Sequence, residues 1–141
     1  MLVADMKSEE KLSIDKYQKH AAAAHDPCLK NLLSELGAVE SNHLSMLNQI
    51  GNGSVPMLGG APAKSRSFTA AYSAETPEKQ QDAYLCRDLL ATEKHASSLY
   101  NTCVFEFTDA GVRNVLNHIQ KEEQEHGKAI YDYMKANGMY S

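Results

Sequence analysis

The sequence predicts an all-α fold, an antiparallel four-helix bundle made of two helical hairpins, and three observations carry that prediction. Four stretches place their apolar residues at steps of three and four, the spacing of one helix face. Pro, Gly and short polar capping residues punctuate the joints between them. The chain also repeats itself. Slid by 83 positions, Asp5 falls on Asp88, Glu10 on Glu93, Lys11 on Lys94, Tyr17 on Tyr100, Asp26 on Asp109, Asn31 on Asn114 and Leu33 on Leu116.

The first helix is expected from about Leu2 to Ala24, where Val3, Met6, Glu10, Ile14, Tyr17, Ala21 and Ala24 form one stripe. Asp26 as N-cap and Pro27 at the first helical position, where its missing N–H costs nothing, start the second helix. That helix carries Leu29, Leu32, Leu33, Leu36, Glu40, His43, Leu44 and Leu47 on its inner face, and Gly51-Asn52-Gly53 ends it. So short a joint folds the two into an antiparallel hairpin. Residues 51–75 are rich in Gly, Pro, Ser and Ala and lack helical periodicity, apart from a turn near Phe68 to Tyr72. They are read as a crossover, with residues 52–66 expected to be the most mobile, rather than as a linker between domains, because neither half alone buries its polar inner face. Thr76, Pro77 and Glu78 repeat the capping logic for a third helix with Leu85 or Cys86, Leu89, Glu93, Ala96, Tyr100, Cys103, Val104 and Phe107 inward. Asp109 caps a fourth, striped by Val112, Val115, Leu116, Ile119, Glu123, His126, Ile130, Tyr133 and Met134 and stopped near Gly138. The expected organisation is one domain over residues 1–141: hairpin 2–50, crossover 51–75, hairpin 76–137.

The polar residues in these stripes carry the chemistry. Glu40-x-x-His43 and Glu123-x-x-His126 lie at matched positions of the repeat, each preceded thirty residues earlier by an inward glutamate, Glu10 or Glu93. A charge facing a core costs several kcal/mol unless it is paired or bound to a cation. Glu10, Glu40, His43, Glu93, Glu123 and His126 are therefore the candidate metal ligands, and carboxylate with imidazole suits Fe, Mn or Zn. Two divalent ions would neutralise the four carboxylates; pairing of acids with histidines, without metal, is the alternative. Tyr17 and Tyr100, two turns beyond Glu10 and Glu93, are placed to orient a carboxylate, or to serve as ordinary core residues. Glu122, Glu125, His20, His25, His95 and His118 read as surface or capping residues, with Glu9 and His95 close enough to replace a ligand.

Composition removes several function classes. The net charge of −4 is spread without a basic stripe, which argues against nucleic acid and against a polybasic membrane patch. No apolar run is long enough to span a bilayer, and Asp5 and Lys7 break the N-terminal start that a signal peptide needs, so cytoplasmic synthesis is expected. Cys28, Cys86 and Cys103 form no C-x-x-C pair and are expected to be buried free thiols.

One glutamate from each of two helices, with Glu-x-x-His from each of the other two, resembles the ligand set of ferritin-like di-metal carboxylate proteins. In that resemblance Glu40 and Glu123 bridge the metals, while Glu10 and Glu93 each terminate one beside His43 and His126. The long connection between the second and third helices is the crossover such a topology requires. The second half also resembles the Coat F family of spore coat proteins in Asp88-Leu89-Leu90, Thr92-Glu93-Lys94, Tyr100, the run Glu122 to His126, and the closing Tyr133-Met134 and Gly138-Met139-Tyr140. That resemblance implies a place in the spore coat, with other coat proteins or a second copy of the chain as partners. A small di-iron or di-manganese redox enzyme acting on peroxide or dioxygen is the alternative function. The chain lacks the C-x-x-C pairs of a rubrerythrin-like electron donor, and no fifth helix of a ferritin cage is expected after Gly138.

Overall fold

The computed structural model describes residues 2–59 and 64–140, and among these every regular element is helical. Helix α1 spans Leu2–Ala23, α2 Pro27–Gly51, α3 Pro77–Cys103 and α4 Ala110–Ala136. A short 3-10 turn, Val104–Glu106, prolongs α3.

The boundaries follow from local hydrogen bonding. Each helix after the first begins at a side chain that accepts an otherwise orphaned N–H: Asp26 from Cys28, Thr76 from Lys79 and Asp109 from Val112. Helices α2 and α4 both end on glycines in left-handed conformation, Gly53 at φ 85° and Gly138 at φ 64°. In both, two backbone bonds reach back into the last turn, Ser54 to Gln49 with Gly53 to Ile50, and Met139 to Met134 with Gly138 to Lys135.

Helix α1 packs on α2 and α3, and α4 packs on α3 and α2. Side-chain contacts fix the directions. Lys16 reaches Asp88 and Thr92 while Glu9 lies beside His95, so α1 and α3 run antiparallel. Glu40 meets His126 while His43 meets Glu122, so α2 and α4 do too. Because the remaining neighbours are joined by short turns, α2 and α3 lie parallel, and the chain between them must travel from one end of the bundle to the other. Val55 packs near Gly111 at the start of α4, and Lys64 and Arg66 pair with Glu35 on α2. Phe68 packs edge-on against Tyr133, and the N–H of Ala71 donates to Asn137 near the end of α4. No helical turn forms between Phe68 and Tyr72, contrary to expectation, because Phe68 and the Ala71 N–H are engaged by α4 instead. Of the stretch expected to be most mobile, residues 60–63 lie outside the described residues.

The connection lands on a buried carboxylate. Asp82 accepts from the backbone N–H of His25 at 2.9 Å, that of Asp26 at 3.0 Å and the hydroxyl of Tyr72 at 2.6 Å. Asp26 in turn accepts from Tyr133 at 2.5 Å. The α1–α2 joint, the crossover, α3 and α4 are thus tied at one end.

Two apolar clusters fill the interior. One, around Leu29, Leu33, Leu89, Ile130 and Tyr133, lies at the tied end; the other, around Met6, Leu47, Leu116 and Ile119, lies at the opposite end. Polar side chains occupy the interior between them. Cysteines depart from the expectation at one position: Cys86 and Cys103 are buried, but Cys28, in the first turn of α2, faces solvent. Gly37 is where α2 approaches α1 most tightly, since an added Cβ would stand 3.0 Å from Cβ of Tyr17. Alanine favours a helix by about 1 kcal/mol over glycine, whereas overpacking costs ~1–3 kcal/mol. Tyr17 is fully buried and held by a hydrogen bond, so it has little room to yield. Gly37→Ala is expected to lower the thermal midpoint, and a rise in differential scanning calorimetry would refute that account.

Candidate metal centre

Glu10 on α1, Glu40 and His43 on α2, Glu93 on α3, and Glu123 and His126 on α4 converge between the two apolar clusters. Each is at most 4% exposed. Helical spacing explains why: glutamate and histidine three positions apart share the face that carries the flanking leucines and isoleucines inward.

Two overlapping groups of ligand atoms emerge. In one, Glu10, Glu40, His43 and Glu123 each offer an atom within 4.8 Å of the others; in the second, Glu40, Glu93, Glu123 and His126 do the same. Glu40 and Glu123 belong to both. The contacts around them come in pairs related by 83 positions. Tyr17 donates to Glu93 at 2.6 Å and Tyr100 to Glu10 at 2.7 Å. His126 Nδ1 lies 2.8 Å from Glu40, and His43 Nδ1 lies 2.8 Å from Glu123. The same nitrogens stand 3.6 Å from Glu93 and 3.7 Å from Glu10. Each tyrosine reaches the terminal glutamate of the other hairpin rather than its own. The two imidazoles lie nearly parallel, with centroids 6.1 Å apart.

Hydrogen bonding does not use up these atoms. One oxygen each of Glu10, Glu40 and Glu93, both oxygens of Glu123, and Nδ1 of His43 are buried without a hydrogen-bond partner among the described residues. The 2.8 Å approach of His43 to Glu123 lacks the alignment of a hydrogen bond. Orphaned buried acceptors are rare, because each costs about 1–3 kcal/mol. Here they point at one another, and hard oxygen and imidazole donors without thiolate are what Mn, Fe or Zn takes. The residues fit a carboxylate-bound cation.

Electrostatics gives the same picture. Burial, then the nearby Glu40, raises the carboxyl of Glu10, and burial with Glu93 raises that of Glu123. Burial also opposes ionisation of Glu40, yet bonds to Glu10, His126 and His43 hold it below the ordinary glutamate range. Burial would depress both imidazoles, but the carboxylates around them win, raising His43 and lifting His126 to about 9. Tyr17 and Tyr100 are raised by burial and by their carboxylate partners, so both stay protonated donors. Without a cation, protons must fill the space between the acids.

Glu122 overturns its reading as an outward-facing residue. It is half-buried, and its Oε1 lies 2.9 Å from Nε2 of His43 and 3.0 Å from Nε2 of His118. The bond to His43 lowers its carboxyl. Its position is one step round α4 from Glu123, on the flank that abuts α2, and the pairing His118-x-x-x-Glu122 is the only signal the sequence offers for it. His20 is also half-buried, 2.7 Å from Asp88. His25 and His95 are exposed at their rings. Glu9 pairs with His95 at 3.6 Å, and neither joins the two ligand groups.

Two grooves flank the centre. One, about 500 Å³ and open to solvent between α3 and α4, is lined by Glu93 and Glu123 along with Ser97, Ser98 and Gly127. The other, between α1 and α2, is lined by Tyr17, Gly37 and Ser41 and by none of the four glutamates.

Residues 81–141, which include Glu93, Glu122, Glu123 and His126, match the family model of the Coat F domain. No curated protein and no solved structure matches the chain significantly.

Proposed function

We infer that the chain, whose residues 81–141 match the Coat F domain, is a spore coat protein built as a ferritin-like bundle around a carboxylate-bridged di-metal centre. The observation that carries the reading is the overlap of the two ligand groups on Glu40 and Glu123, with their oxygens left without hydrogen-bond partners. Glu10 with His43 would hold one divalent ion, Glu93 with His126 the other, and Glu40 and Glu123 would be shared by both. Contacts paired at 83 positions support two hairpin repeats related by a pseudo-twofold axis, and the contacts of Val55 near the start of α4, Arg66 on α2 and Ala71 near the end of α4 support the ferritin-like crossover.

Bound Mn or Fe would supply charge neutralisation to the bundle and one-electron redox chemistry at the centre. Tyr17 and Tyr100 keep Glu93 and Glu10 turned inward. The groove ending on Glu93 and Glu123 favours the second reading, an oxidoreductase acting on peroxide or dioxygen, since it leaves a small molecule a way to the shared carboxylate. A second copy of the chain and other coat proteins are the partners proposed for it.

Adding Mn²⁺ or Fe²⁺ to chelator-treated protein is expected to raise the thermal midpoint, because only the native state assembles the ligands; at a hundredfold excess over Kd the gain is about 2.7 kcal/mol. Glu123→Ala should abolish that gain, and Glu78→Gln, on the exposed first turn of α3, should keep it. A parent protein whose midpoint ignores both ions would sink the metal reading.

The metal-free chain should respond to pH in a definite direction. Glu10, Glu123, His43 and His126 all have raised values when folded, so their stabilisation is complete below their ordinary values and is lost as pH rises through the folded ones. Metal-free protein is expected to lose thermal stability as pH rises from ~4.5 through about 8, where Glu10 ionises, and about 9, where His126 loses its proton. Metal-loaded protein should lack that decline. Identical pH profiles for the two forms would contradict this account.

A further inference from the structure

We propose that the two halves of the centre are inequivalent: the half built on Glu10 and His43 holds its ion tightly, and the half built on Glu93 and His126 exchanges it through the groove between α3 and α4. The proposal rests on the metal reading above and goes beyond it, because two independent breaks in the repeat fall on the same side.

The first break is at Glu122. His43 directs Nδ1 at the carboxylates of the centre and Nε2 at Glu122, 2.9 Å away. A carboxylate on the far nitrogen fixes the tautomer and orientation of a metal-binding imidazole and makes it more basic. The residue 83 positions before Glu122 is Val39, so the repeat supplies no carboxylate at the place that corresponds to Glu122 in the half of His126. Among the described residues its Nε2 forms no hydrogen bond. Glu122 is thus a positioning residue, acting through His43 on one half only.

The second break is in the groove. Ser97 and Gly127 line the opening that reaches Glu93 and Glu123. Their counterparts in the first hairpin are Ile14 and Leu44, both half-buried, so the matching approach to Glu10 and Glu40 carries two large aliphatic side chains where the second hairpin has a hydroxymethyl group and a hydrogen. Ligand support is stronger at Glu10 and His43, and solvent access is greater at Glu93 and His126. Both differences make the same ion the mobile one.

Calorimetric titration of the chelator-treated full chain with Mn²⁺ should resolve two constants at least about tenfold apart, the effect expected of an outer carboxylate. A brief chelator challenge should remove only the weaker ion. Glu122→Gln should weaken the tight constant by about 10–100-fold and leave the weak one in place. Val39→Glu should tighten the weak one, and Ser97→Ile should slow release of that ion to chelator without moving the tight constant. These splits separate positioning from general destabilisation, which would move both constants together. Two ions bound with equal constants, unaffected by Glu122→Gln, would overturn the inequivalence and leave the di-metal reading standing; no bound ion at all would overturn both.

Discussion

Glu40→Ala and Glu123→Ala are each expected to take bound metal from about two ions per chain to none, whereas Glu10→Ala and Glu93→Ala should each leave about one. The asymmetry follows from the ligand groups, since Glu40 and Glu123 serve both and the other two glutamates serve one apiece. Removing a shared carboxylate strips both ions of a charged ligand at once, leaving each with one carboxylate of its own, one imidazole and a share of the single remaining common carboxylate, so both buried ions are poorly neutralised. Elemental analysis after desalting reads the result directly. Without metal the effect at Glu123 should reverse: Glu123→Gln removes a buried group that burial and Glu93 already resist ionising, so the metal-free variant should melt higher than the metal-free parent. A Glu40→Ala protein that keeps one ion would show that the carboxylates are not shared.

Asp82→Ala should produce the largest loss of stability away from the centre, about 3 kcal/mol. The substitution leaves the buried N–H of Asp26, the N–H of His25 and the Tyr72 hydroxyl without their acceptor, and each unsatisfied buried donor costs roughly 1–3 kcal/mol. For a chain of this size that corresponds to a fall in thermal midpoint of about 10 °C. The effect should fall on the crossover first, because the Tyr72 hydroxyl ties it to Asp82 on α3. Limited proteolysis of the variant should therefore cut within residues 64–75 sooner than in the parent. A midpoint within a degree or two of the parent would show that the network contributes little.

Much of this arrangement is legible in the residue order, for a physical reason. Spacing fixes the azimuth of a side chain on its own helix, so the inward stripe containing Glu123 and His126 can be read without knowing what it faces, and the matched Glu40 and His43 show that the pattern is organised rather than accidental. Caps are equally local, which is why Asp26, Thr76, Asp109 and Gly138 mark the ends. Spacing does not say which helix stands opposite. Tyr17 lies on the stripe of Glu10 but donates to Glu93, and His43 lies beside Glu40 but faces Glu123, because those partners depend on the packing of α1 on α3 and α2 on α4. Glu122 was hidden for the same reason: one step off the inner stripe reads as surface until the neighbouring helix is in place. Asp82 stands four residues before Cys86 on the inner stripe of α3, so spacing turns it inward, but its partners are set by the joint and the crossover that converge on it. The extra turn Val104–Glu106 and the path of the crossover are likewise matters of where chain ends meet.

The central claim is that the buried acids of this chain are held together by metal. Its most direct test is the metal content of the parent chain, measured by inductively coupled plasma mass spectrometry after metal reconstitution and desalting. The account predicts about two ions of Mn or Fe per chain, falling to none in Glu123→Ala. A parent chain that holds no ion after reconstitution would contradict it, and would mean that protons and the two histidines alone keep Glu10, Glu40, Glu93 and Glu123 together.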